Sequence, residues 1–124
     1  MIAYPLADLI DRISILSLRV IHSKDAGAEH ADASGELEHL VGSLNEYNFA
    51  EGRDYIRKLM EINEDIWNLE ADIRQGKEKM LGLEEVGRRA IAIRDLNKIR
   101  VGIKNEIASK VGGHKDVKIN HASE

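Results

Sequence analysis

Apolar positions recur at helical intervals along most of the chain. After Pro5, which suits the first turn of a helix, Leu6, Leu9, Ile10, Ile13, Leu16 and Val20 share one arc at about 100° per residue. Ile15 and Leu18 fall outside that arc, near Arg12 and Arg19, so this helix is expected to be covered on more than one side. Residues 25–35 carry small side chains and no large apolar one, which predicts a loop or a weak extra turn. Ser34 is a candidate N-cap for a short second helix, with Leu37, Leu40, Val41 and Leu44 as its apolar face. A turn over 45–52 precedes a third helix from about Arg53 to Gln75. There Tyr55, Leu59, Ile62, Ile66, Leu69 and Ile73 follow the 4,3,4,3,4 spacing of a coiled-coil seam. Gly76 can end it, and residues 77–84 read as a short connection. A fourth helix is predicted from about Glu85 to Val111, with Ala92, Ile93, Leu96, Ile99, Ile103, Ile107 and Val111 on its apolar arc and Gly112-Gly113 as its stop.

Two long helices with a short connection predict an antiparallel hairpin, on which the first two helices pack as an all-α bundle. A length of 124 residues predicts one domain. That domain is expected over 1–112, with 113–124 a mobile tail lacking a sustained apolar face. So small a bundle has much surface for its volume. With apolar residues outside the main arcs, self-association is expected, most simply as a dimer.

Composition agrees with helices: Leu, Ile, Ala, Glu and Lys prevail, with one proline and 4% aromatic residues. The chain has no cysteine, which excludes disulfides, thiolate nucleophiles and cysteine-ligated metals. Asp8, Asp11 and Arg12 interrupt the first apolar run, so neither a signal peptide nor a membrane span is expected, and the cytoplasm is the default. A formal net charge of −4 argues against direct nucleic-acid binding, which needs a basic face.

Three constellations could carry chemistry. Beside the seam of the third helix, Ile56, Met60, Asn63, Trp67, Glu70 and Arg74 form a mixed stripe. It could stack a purine-like ring and hold an anion, or pack against a neighbouring helix with Glu70 and Arg74 paired at i,i+4. On the fourth helix, Arg89 and Arg100 lie within or beside the apolar arc, bordered by Asn97 and Lys104. A guanidinium there needs an anion. Either a protein carboxylate, Glu70 foremost, or a phosphate-bearing ligand could supply it. On the first helix, Asp8, Arg12, Arg19 and His22 surround Ile15, as either a covered contact or a surface ion-pair ladder.

Metal chemistry finds little support. Glu36 and His39 have the i,i+3 spacing of di-iron bundles, but no second copy follows. Glu61 and Glu64 supply the first half of the E-x-x-E … E-x-x-D pattern of Mg²⁺-dependent helical nucleotide pyrophosphatases. The downstream half is missing, and Glu29 to Asp32 comes too early. No G-x-S-x-G, P-loop or G-x-G-x-x-G is present. No catalytic set, cofactor or metal is predicted.

The segments DLIDRISILSLRVIHSK (8–24), EINEDIWNLEADIR (61–74) and AIRDLNKIRVGIKNEI (92–107) together resemble a group of small, uncharacterised helical proteins of bacteria and phages. The resemblance runs through Asp11, Arg12, Asn63, Trp67, Glu70, Leu96, Asn97 and Arg100. It covers about a third of the chain and implies a helical fold, not an activity. The expectation is a non-enzymatic, homo-oligomeric binder of a small anionic ligand, foremost a nucleotide, by analogy with phage proteins that sequester nucleotide signals. Trp67 would stack on the base, Arg12, Arg74 and Arg100 would neutralise phosphate, and Asn63 and Asn97 would read ligand edges. The alternatives are a structural or regulatory protein-interaction module and the pyrophosphatase.

Overall fold

The computed structural model describes residues 5–111; the predicted tail, 113–124, lies outside them. Five helices follow in order: α1 (Leu6–His22), α2 (Ala28–Leu44), α3 (Gly52–Arg74), α4 (Glu78–Leu81) and α5 (Leu83–Lys110). No strand occurs among the described residues, and the architecture is an all-α bundle. None of these helices is long and apolar enough to cross a membrane.

α1 starts at Pro5, whose carbonyl accepts from the Leu9 N–H at 2.9 Å. Asp8 in its first turn and Arg19 and His22 in its last match the helix dipole. α2 corrects the sequence reading. It begins at Ala28 rather than near Ser34 and absorbs much of the predicted loop. Alanines at 28, 31 and 33 favour helix without offering bulk, and Ala33 is buried against the bundle. α3 ends at Gly76, whose φ of 74° allows the Lys77 N–H to reach the Asp72 carbonyl at 2.8 Å. The predicted connection after it contains the single turn α4. Gly82, at φ 83°, then turns the chain into α5.

The core joins Leu6, Leu9, Ile10, Ile13 and Leu16 of α1 to Ala33 and Leu40 of α2, Tyr55 and Leu59 of α3, and Ile107 of α5. α1 is thus the central helix, touching α2, α3 and α5. Its outer face is not free: Leu18 is buried and Ile15 half-buried. α3 and α5 form the predicted antiparallel hairpin. Its two ends are marked by Tyr55, which donates to Glu106 Oε2 at 2.6 Å, and by Arg89, which lies 3.4 Å from Asp72. The buried side chains of α3 and α5 gather at one end of this hairpin, at Tyr55, Leu59 and Ile107. Towards the α4 turn the packing thins. Ile99, predicted on the inner arc of its helix, is 53% exposed.

Burial, followed by the Glu106 hydrogen bond, pushes the Tyr55 phenol up to about 12 from 10.0. A raised phenol pKa stabilises the fold fully below pH 10, and that contribution disappears as pH rises through about 12. Urea unfolding is therefore expected to show an alkaline loss of stability over this window. Tyr55→Phe should remove that step and cost about 1 kcal/mol at neutral pH from the missing hydrogen bond.

Candidate functional site

The six residues predicted to bind a ligand divide into three groups. The first gathers around Asp11, on the side of α1 that also carries Ala7, Ser14 and Leu18. The Asp11 side chain is only 6% exposed. Arg100 of α5 grips it bidentately, Nε to Oδ1 at 3.1 Å and Nη2 to Oδ2 at 2.7 Å. The Asp11 hydrogen bond raises the Arg100 pKa, outweighing the opposing effect of burial. Asn97 Oδ1 accepts from Arg100 Nη1 at 3.4 Å. Lys104 Nζ sits 2.9 Å from Asp8 and 3.8 Å from Asp11, so two carboxylates face two cations.

The backbone of the same residue reaches the third helix. Ser14 Oγ donates to the Asp11 carbonyl at 2.6 Å, and Asn63 Nδ2 donates to Ser14 Oγ at 3.0 Å. Asn63, Asn97 and Arg100 therefore do converge, but on a protein carboxylate and its peptide. The counter-ion of Arg100 is Asp11, not the Glu70 expected from sequence. That of Arg89 is Glu85, at 2.8 Å, with Asp72 at 3.4 Å. Glu85 raises the Arg89 pKa, and Arg89 followed by Arg88 lowers that of Glu85.

The second group is Trp67 with Arg74. The His22 ring lies flat on one face of the indole, centroids 4.6 Å apart and planes 5° from parallel. The Arg74 guanidinium lies 4.0 Å from the indole centroid. Arg74 also donates to the Trp67 carbonyl at 3.2 Å and approaches Glu70 at 3.6 Å, the i,i+4 pair foreseen. Asn63 and Arg74 are eleven residues apart on α3, about 16 Å by helical rise. The third group is Arg12, which turns to α2 and meets Glu36 at 2.9 Å. Glu36 is thereby an ion-pair partner in this fold. Among the described residues, no buried side-chain nitrogen or oxygen lacks a hydrogen-bond partner. Glu61 and Glu64 lie exposed on α3. No three His, Asp or Glu side chains group to hold a metal among the described residues.

A different surface is left unsatisfied. Met80 and Leu83 are 81% and 91% exposed, and Ile91 and Val101 are half-exposed, as is Ile99. Along α5, Ala90, Ile93, Arg94, Asn97, Lys98 and Val101 line an open groove of about 640 Å³. Sequence analysis placed Asn97 beside Arg100 but missed Asp11, Asp8 and Ser14 as its companions. The available signal was a carboxylate at position 11 on an arc otherwise made of Ala7, Ser14 and Leu18. No protein-family model, curated protein or solved structure matches the chain.

Removing Asp11 strands Arg100 beside a buried hole and leaves Lys104 on Asp8 alone. Asp11→Ala is expected to cost about 3–5 kcal/mol in urea unfolding. Adding Arg100→Met should restore part of that loss, because the uncompensated guanidinium is then gone. For the second group, His22→Ala uncovers one indole face; Trp67 emission should shift to the red, with a loss of about 1 kcal/mol.

Proposed function

We propose that the chain is a non-enzymatic helical interaction module that meets another polypeptide through the outer face of α5. The observation that carries this reading is the exposure of Leu83, Ile91 and Val101 on a helix whose inner side is already packed on α3 and α1. A helix apolar on more than one side is ordinarily covered on more than one side. Exposed apolar patches rimmed by polar groups mark contact surfaces, and Arg94, Asn97 and Lys98 supply such a rim here.

The competing reading is capture of a small anionic ligand, foremost a nucleotide, by Arg12, Asn63, Trp67, Arg74, Asn97 and Arg100. It demands that the ligand displace Glu36 from Arg12, Asp11 from Arg100, and His22 or Arg74 from Trp67. Displacing Asp11 would leave a buried carboxylate with only Lys104, at 3.8 Å, a penalty that binding would have to exceed.

The two readings part in calorimetry against linear and cyclic nucleotides at high protein concentration. We expect no saturable heat. Saturable binding that disappears in a folded Trp67→Ala variant would overturn the module reading in favour of ligand capture.

A further inference from the structure

The outer stripe of α5 has a pattern that its own chain uses only in part, through Lys104 on Asp8 and Asn97 beside Arg100. Residues Leu83, Gly87, Ala90, Arg94, Asn97, Val101, Lys104 and Ala108 follow one another at intervals of 4,3,4,3,4,3,4, the spacing of a second seam. Most of the stripe is exposed, and the groove beside Ala90 and Val101 is open. Gly87 lies inside a helix, where glycine is unfavourable relative to alanine. A Cβ added there would meet nothing within 4 Å. The same holds of Gly102 off the stripe, so the open space at Gly87 admits the close approach of another helix rather than requiring it.

We propose that this stripe is occupied by the same stripe of a second copy, the two α5 helices running antiparallel about a two-fold axis between Asp95 and Leu96. The proposal rests on the module reading above and names its partner. Such an axis sets Leu83 against Ala108, Gly87 against Lys104, Ala90 against Val101, and Arg94 against Asn97. Each bulky or cationic residue then meets a small or neutral one. Lys104 keeps its ammonium on Asp8 and lends only its stem to the space over Gly87. The Arg94 fork faces an amide oxygen. A parallel, in-register pair would instead set Arg94 on Arg94 and Lys104 on Lys104, like charges in direct opposition. The charge pattern thus selects the antiparallel arrangement, and a two-fold dimer closes on itself without leaving an open end.

Sedimentation of the full chain over a wide concentration range tests the proposal. A reversible dimer of the 13.9 kDa chain is expected. Val101→Glu should weaken it about thirtyfold, the scale of an interface hot spot. Ile99→Ser, off the stripe, should leave it unchanged. Gly87→Ala should weaken the dimer while raising the melting temperature of the monomer, two effects of opposite sign. Orientation is read by cross-linking, because the chain has no native cysteine. Ala90→Cys combined with Val101→Cys should form intermolecular disulfides between positions 90 and 101, and neither single variant should. A disulfide between two copies of Val101→Cys, or a dimer broken by Ile99→Ser but not by Val101→Glu, overturns the pairing. A chain that stays monomeric at every concentration overturns it too, leaving the module reading with a different partner; saturable nucleotide binding would instead remove the module reading itself.

Discussion

A buried carboxylate in the central helix is the constraint around which the bundle is arranged. Asp11 sits on α1, which touches three other helices, and it uses two different parts of itself to hold two of them. Its carboxylate takes the Arg100 fork of α5, and its carbonyl takes Ser14, which in turn accepts from Asn63 of α3. Withdrawing these charges from water is expensive, and a matched apolar pair could be as stable. What the ion pair adds is direction. A bidentate fork has one productive geometry, so Arg100 fixes α5 against α1 in height and rotation, where interchangeable leucines would tolerate sliding. Asp8 and Lys104 repeat the contact one turn along and balance the charge.

This internal use of charge decides which surface remains for recognition. Arg12, Arg74, Arg89 and Arg100 are spent on Glu36, Glu70, Glu85 with Asp72, and Asp11 respectively. The sole tryptophan has His22 on one face and Arg74 close over its ring. Among the described residues the most exposed large apolar side chains, Met80, Leu83, Ile91, Ile99 and Val101, lie on α4 and α5. On the proposed module reading, recognition would fall to helix packing, with Arg94 and Lys98 at the rim of the groove.

The helices themselves were legible where one face alternated cleanly with the other. The 3-and-4 spacing from Tyr55 to Ile73, Gly76 and the apolar arc ending at Val111 placed both helices of the hairpin within two residues of their ends. α2 was read as half its length because its first turns bury only Ala33, and periodicity counted over large side chains does not register alanines at 28, 31 and 33. Arg89 and Arg100 were recognisable as needing anions. Their partners were not, since pairing depends on helix order and register. Asp11 is 89 residues from Arg100 in sequence and is adjacent only once α1 runs antiparallel to α5. Ile99 misled for a different reason. It shares the helical period of the core residues, but it stands at the edge of the arc of Leu96, Ile103 and Ile107, on a flank of α5 that is left half-exposed.

The overrun of α5 past α1 follows from length. α1 has 17 residues and α5 has 28, about 25 Å against about 42 Å of helix. The Asp8–Lys104 pair anchors the start of α1 near the end of α5. Running antiparallel from there, α1 reaches its last residue, His22, when α5 has been followed back only to about position 90. The first two turns of α5 therefore extend past the central helix and lean on α3, with Arg89 tied to Asp72 and to the Leu69 carbonyl, while α4 packs on α5. A short helix cannot cover a long one, so the overhanging end is the most exposed: Met80 and Leu83 stand at 81% and 91%, against 52% for Val101 on the same face of α5 as Leu83. The antiparallel pairing of α5 with α5 would cover Leu83 with the far end of the partner helix, at Ala108, where each protomer is most firmly packed. The least supported end of one copy would then rest on the best supported end of the other.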